Sequence, residues 1–171
     1  MGTFKSKEDY LKQLCIDHPD VAYGSVVNGV TRNSFFRMNA DEELLAATVA
    51  NISYPAVGYV SLRGKLKDTD NQLLDIRHSF SNAWLFIQHV SMITVTDGFT
   101  DAIQECYDQT FSIVEDFIKM MKDDFEANGS CGAFQNFDLN KISYEMVGPV
   151  FENEYGWYLY FDDEQKASRI I

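Results

Sequence analysis

Residues 99–127 read FTDAIQECYDQTFSIVEDFIKMMKDDFEA, and this stretch decides the fold class. Phe99, Ile103, Cys106, Phe111, Val114, Phe117, Ile118, Met121 and Phe125 recur mainly at spacings of three and four. That period gathers them on one face of a long helix and leaves the acids on the other. Thr96 or Asp97 stands where a cap would, and Asn128-Gly129 supplies the left-handed stop. A helix with one wide apolar face needs a partner layer, and the flanking segments provide strands.

On the N-terminal side, Val60 to Lys67 alternates: Val60, Leu62 and Leu66 on one face, Ser61, Arg63, Lys65 and Lys67 on the other. This is the pattern of a half-buried strand, with Pro55 restarting the chain before it. Asp68 to Asn71 is a turn cluster. Leu73 to Ile93 then predicts one long strand or two short ones, with Asn82 marking a bend or bulge. On the C-terminal side, Phe137 to Asp163 predicts a hairpin, broken at Gly148-Pro149 and turning at Glu152 to Glu154.

The first fifty residues predict smaller elements. Lys5 to Asp17 reads as a short helix with Ser6 as cap and Tyr10, Leu11, Leu14 and Cys15 as its stripe; His18-Pro19 ends it. Val21 to Met38 reads as a hairpin about the turn Asn28-Gly29, the alternative being a loop with one strand. Asn39 caps a second short helix, Asp41 to Ala50. The expectation is therefore a single α+β domain over residues 1–171: a mostly antiparallel sheet packed by one long and two short helices.

The chain has 171 residues with a net charge of -12, from 26 acids and 14 lysines and arginines. Its average surface repels nucleic acid and anionic membranes, so no specific nucleic-acid or membrane partner is expected. Cys15, Cys106 and Cys131 are odd in number and form no CxxC, which points to reduced thiols. The N-terminus shows no signal-peptide h-region, and no apolar run approaches the ~20 residues of a membrane helix.

Catalytic patterns fail one by one. His18, His78 and His89 share no metal-ligand spacing. Asp68-Thr69-Asp70-Asn71 lacks the glycine and glutamate of a calcium loop. Cys131 follows a helix C-terminus, where the dipole disfavours thiolate. The pairs Asp123-Asp124 and Asp162-Asp163 read as solvated faces, and no phosphate-binding glycine loop occurs. No enzyme, cofactor or metal is expected.

Two features point to protein contacts. Arg63, Lys65 and Lys67 make a cationic stripe that could meet an acidic patch on another copy, for example Asp123-Asp124; the alternative is a solvated strand face. Tyr155, Trp157, Tyr158 and Tyr160 sit in a strand with aromatics on both faces: Trp157, Leu159 and Phe161 on one, Tyr158 and Tyr160 on the other. Such a strand needs cover on both sides, from the core on one and from a partner or a local element on the other.

The element order, with the string Tyr144-Glu145-Met146-Val147-Gly148-Pro149 and then Asn153-Glu154-Tyr155-Gly156-Trp157, resembles the tail-terminator and tail-completion proteins of tailed bacteriophages. The resemblance implies a non-enzymatic structural subunit of a tail or neck ring, a homo-oligomer contacting neighbouring virion proteins. It also implies a place in the virion after assembly in the host cytoplasm. Two other expectations stand beside it. One is a monomeric acidic inhibitor or adaptor of DNA-mimic type that binds a basic partner. The other is an enzyme with a cleft around His78, His89 or Cys131.

Overall fold

The structure is a computed structural model that describes residues 4–38, 50–68, 76–91, 99–129, 134 and 138–166. Its order is α1 (Phe4–Asp17), β1 (Val26–Val27), β2 (Val30–Thr31), β3 (Phe35–Arg37), β4 (Ala56–Asp68), β5 (Ile76–His89), α2 (Phe99–Asn128), β6 (Ser143–Val150) and β7 (Glu154–Lys166). The chain is α+β, as expected. The two short strands form their own hairpin, and the other five form a sheet ordered β3-β4-β5-β7-β6.

That sheet is mixed, which corrects the mostly antiparallel expectation: β3 runs parallel to β4, while the β4-β5, β5-β7 and β6-β7 pairs are antiparallel. The parallel pair follows from connectivity. β3 and β4 are separated by residues 38–55, enough chain to return to the same end before pairing. Two α-helices stand among the described residues. The expected helix at 41–50 lies outside them but for Ala50, as do Thr96, Asp97 and Cys131 and most of the 68–71 turn.

Several local expectations need correction. The first helix begins at Phe4, so Ser6 is inside it rather than its cap. β5 is one unbroken strand, and Asn82 pairs in register with Leu62 and Phe161 instead of marking a bend or bulge. The irregularity sits in β4, between Tyr59 and Ser61, and it moves Val60 out of phase with Leu62. Gly148-Pro149 disturbs the register of β6 without ending it. The Asn28-Gly29 turn does form, with φ of 52° and 78° at its two residues. Gly129 stops α2 with φ 70°, its N–H bonded to the Phe125 carbonyl.

The core lies between the sheet and the two helices. Trp84 and Phe86 of β5 meet Phe117, Val114 and Met121 of α2 and Leu11, Leu14 and Cys15 of α1. Rings interlock edge to face, with Phe86–Phe117 at 5.0 Å and Trp84–Phe161 at 4.8 Å. Burying one such ring stabilises by about 2–3 kcal/mol. The opposite sheet face has a smaller core of Phe36, Ala56, Leu85 and Ile87.

Candidate functional site

The register of β4, β5 and β7 decides which side chains share the face turned away from the helices. Trp84 points into the main core, so the odd-numbered residues of β5 point the other way. Arg63 is level with Ser81, Lys65 with Ser79, and across the next pair Ser81 is level with Asp162 and Ser79 with Glu164. Lys67 stands level with Arg77, and Arg77 with Lys166. The described cations Arg63 and Lys65 of the expected stripe thus share their face with Arg77 of the next strand. Arg77 was not legible in the sequence as part of this face because only register brings it there.

Arg63 and Lys65 are exposed, and neither takes part in an ion pair among the described residues. Beside them lies a half-open basin of about 400 Å³ lined by Val60, Arg63, Ser81, Ala83, Tyr158 and Tyr160, among others. The rings of Tyr158 and Tyr160 are 5.7 Å apart and tilted by 31°. Burial, then the charge of Glu145, raises both phenol pKa values above the ordinary range. Both therefore stay neutral hydroxyls at physiological pH.

The remaining aromatics of the terminal hairpin are occupied at home. Tyr155 is buried, and Trp157 donates through Nε1 to the Tyr107 carbonyl at 3.0 Å while packing on Phe111 of α2. Of the strand's two faces, the Trp157 face is closed by α2, and the Tyr158–Tyr160 face is the one left partly open.

The acidic residues named with the stripe sit on the other side of the sheet. α2 carries eight acids and two lysines. Asp123 is exposed, whereas Asp124 accepts a hydrogen bond from Tyr10 Oη at 2.6 Å. No basic residue occupies the last turn of α2.

The histidines have local roles. His18 is buried against Phe117, with Nε2 3.2 Å from Asp116. His78 stacks on Phe80. His89 Nδ1 lies 2.9 Å from Glu154 Oε1, which also accepts from Tyr54 Oη at 3.0 Å; Glu154 Oε2 accepts the backbone N–H groups of Glu152 and Asn153. Burial pushes the Glu154 carboxyl up, but these four partners outweigh it and hold it below the usual range. This clasp ties the β6–β7 turn to β5 and to the start of β4. Among the described residues no group of three or more His, Cys, Asp or Glu could hold a metal ion.

A second polar feature is buried. Lys7 Nζ bonds both Asp163 carboxylate oxygens, at 2.6 and 2.5 Å, with both side chains fully buried. Asn82 Nδ2 donates to the same carboxylate at 2.9 Å, and the ammonium sits over the Phe80 and Phe134 rings. Burial lowers the Lys7 pKa against the pull of Asp163.

Apolar surface remains at both edges of the fold. Val26 and Val30 on the small hairpin are 66% and 67% exposed, and Tyr144 and Met146 on edge strand β6 are 53% and 51% exposed. An open groove of about 390 Å³ runs beside β6, lined in part by Phe111, Val114, Ile118 and Tyr144. Compared with known proteins, the chain matches no family model, no curated protein and no solved structure.

Proposed function

We propose that this chain is a non-enzymatic structural subunit that assembles with copies of itself, of the kind that builds a ring in the tail or neck of a phage virion. The observation that carries the reading is the apolar surface at opposite edges. The valine hairpin adjoins β3, one edge of the sheet, and Tyr144 and Met146 lie on β6, the other. Large side chains exposed in such pairs favour burial against a partner. Their placement at unlike ends favours a head-to-tail contact, which closes into a ring when the rotation between copies allows. Among the described residues β6 is an edge strand, and the backbone groups of such an edge can be satisfied by a neighbouring chain. The resemblance to tail-terminator proteins supports the same reading, with other virion proteins as neighbours.

The test is the solution mass by light scattering, with negative-stain images of the same sample. A discrete oligomer that Met146→Asp or Val30→Asp dissociates, without loss of the folded circular-dichroism spectrum, is the expected result. A strict monomer at every concentration up to the solubility limit would overturn it.

A second reading draws on α2 alone. Asp101, Glu105, Asp108, Glu115, Asp116, Asp123 and Glu126 are all exposed along it. A monomer that captures a basic protein through this helix, in competition with DNA, would fit that surface.

A further inference from the structure

The basic corner and the acidic helix cannot satisfy each other within one molecule. Arg63 and Lys65 face away from the helices, and α2 packs on the opposite face, so the sheet lies between them. By register Arg63, Lys65 and Arg77 share the face away from the helices with Asp162 and Glu164, while Glu145 lies at its far side beside Tyr158 and Tyr160, in a chain of net charge -12. Cations set side by side repel one another, and an anionic group seated between Arg63 and Lys65 relieves that repulsion.

The C-terminal end of α2 has the opposite deficit. Its dipole is negative there, it carries Asp123, Asp124 and Glu126, and its last turn holds no cation. The lysine that is near, Lys122, reaches only Glu126, at 3.7 Å. A cation brought from outside would therefore be stabilised by both the carboxylates and the helix end.

Resting on the self-assembly reading above, we infer that the basin at Arg63, Ser81, Tyr158 and Tyr160 is the seat for the C-terminal end of α2 from a second copy. Arg63 and Lys65 meet Asp123 and Glu126, and the hydroxyls of Tyr158 and Ser81 donate to carboxylate oxygens, while that of Tyr160 is bonded to Glu145 of its own chain. Tyr158 and Tyr160 line the same basin as Arg63, and a helix end seated over them excludes water from the pair, which strengthens it. The contact is heterologous, since the two patches lie on opposite faces of one subunit. It sets the direction of the neighbour, while the apolar edges supply most of the area, about 800 Å² per partner, that a specific interface needs.

A polyanionic nucleic acid is the competing occupant of a basic patch with two aromatic rings. The seven exposed acids of α2 and the net charge of -12 disfavour it.

Charge reversal in trans separates these outcomes. Two variants are made, Arg63→Glu with Lys65→Glu, and Asp123→Lys with Glu126→Lys; all four positions are exposed, and melting curves check that both fold. Each variant alone is expected to associate at least tenfold more weakly than the parent chain. Mixed one to one, they are expected to recover an assembly, because the acidic corner now meets a basic helix end. A parent oligomer that neither variant weakens would overturn this seat and leave self-assembly standing. A parent that is strictly monomeric would overturn both. Binding of a fluorescent single-stranded oligonucleotide by the parent, lost in Arg63→Glu with Lys65→Glu, would assign the corner to nucleic acid instead.

Discussion

Lys7 and Asp163 are 156 positions apart, yet each is fully buried against the other. A pair of this kind adds little net stability over apolar residues of the same shape, but losing one partner strands a charge. Asp163→Asn is therefore expected to cost about 3–5 kcal/mol in urea unfolding. Lys7→Met combined with Asp163→Leu should recover most of that loss, and a double variant no better than the single one would refute this account. Glu154 makes an acid-side expectation. Its folded pKa lies below the unfolded one, so its stabilisation is full above the unfolded value and is lost as pH falls through the folded one. Glu8 acts in the same sense, since Arg37 and Lys12 outweigh its burial. The melting temperature should fall below about pH 4, and Glu154→Gln should melt lower at pH 7 with a shallower acid slope. None of these partnerships was legible in the sequence. A lysine at a helix start reads as solvated, and only the fold brings Asp163 and Asn82 to it. Asn82 looked like a bend because a polar residue interrupts an apolar strand; in the sheet it is a buried donor.

Helices and strands were legible in proportion to their length and period. The apolar face of α2 spans eight turns, so no single residue could hide it. β4 also showed its alternation, but the slip between Tyr59 and Ser61 did not show, because Val60 and Leu62 look alike on paper. The parallel pairing of β3 was invisible for another reason: three residues carry no sign of direction. The same limit applied to the candidate surface. Alternation alone puts Arg63 and Lys65 on one face, whereas Arg77 joins them only through register. Strand packing also gives a sharp test at Gly156, where a Cβ would come within 1.8 Å of the Phe86 carbonyl oxygen. Gly156→Ala must push β7 off β5, at a cost of about 3 kcal/mol by chemical denaturation. In α2, Phe117→Ala empties the centre of the main core and should cost about 3–5 kcal/mol. A cost under 1 kcal/mol for either would mean that the packing described between sheet and helix is wrong.

At the scale of the whole molecule, the sheet separates two unlike charge populations. The outer surface of α2 is crowded with carboxylates, and the far side of the sheet holds the cations of β4 and β5. Net charge alone says that the chain is an anion. It does not say that the anion has a front and a back. That separation makes the molecule an electric dipole across the sheet, so a charged surface turns the protein before it touches it. Adsorbed from low salt onto a cationic support, the chain should land on α2, shielding Lys119 and Lys122 from acetylation while Lys65 stays reactive. Equal labelling of the three lysines would mean that the field is too weak to orient it. The same torque acts in solution, where it selects which side of an approaching body this protein presents first.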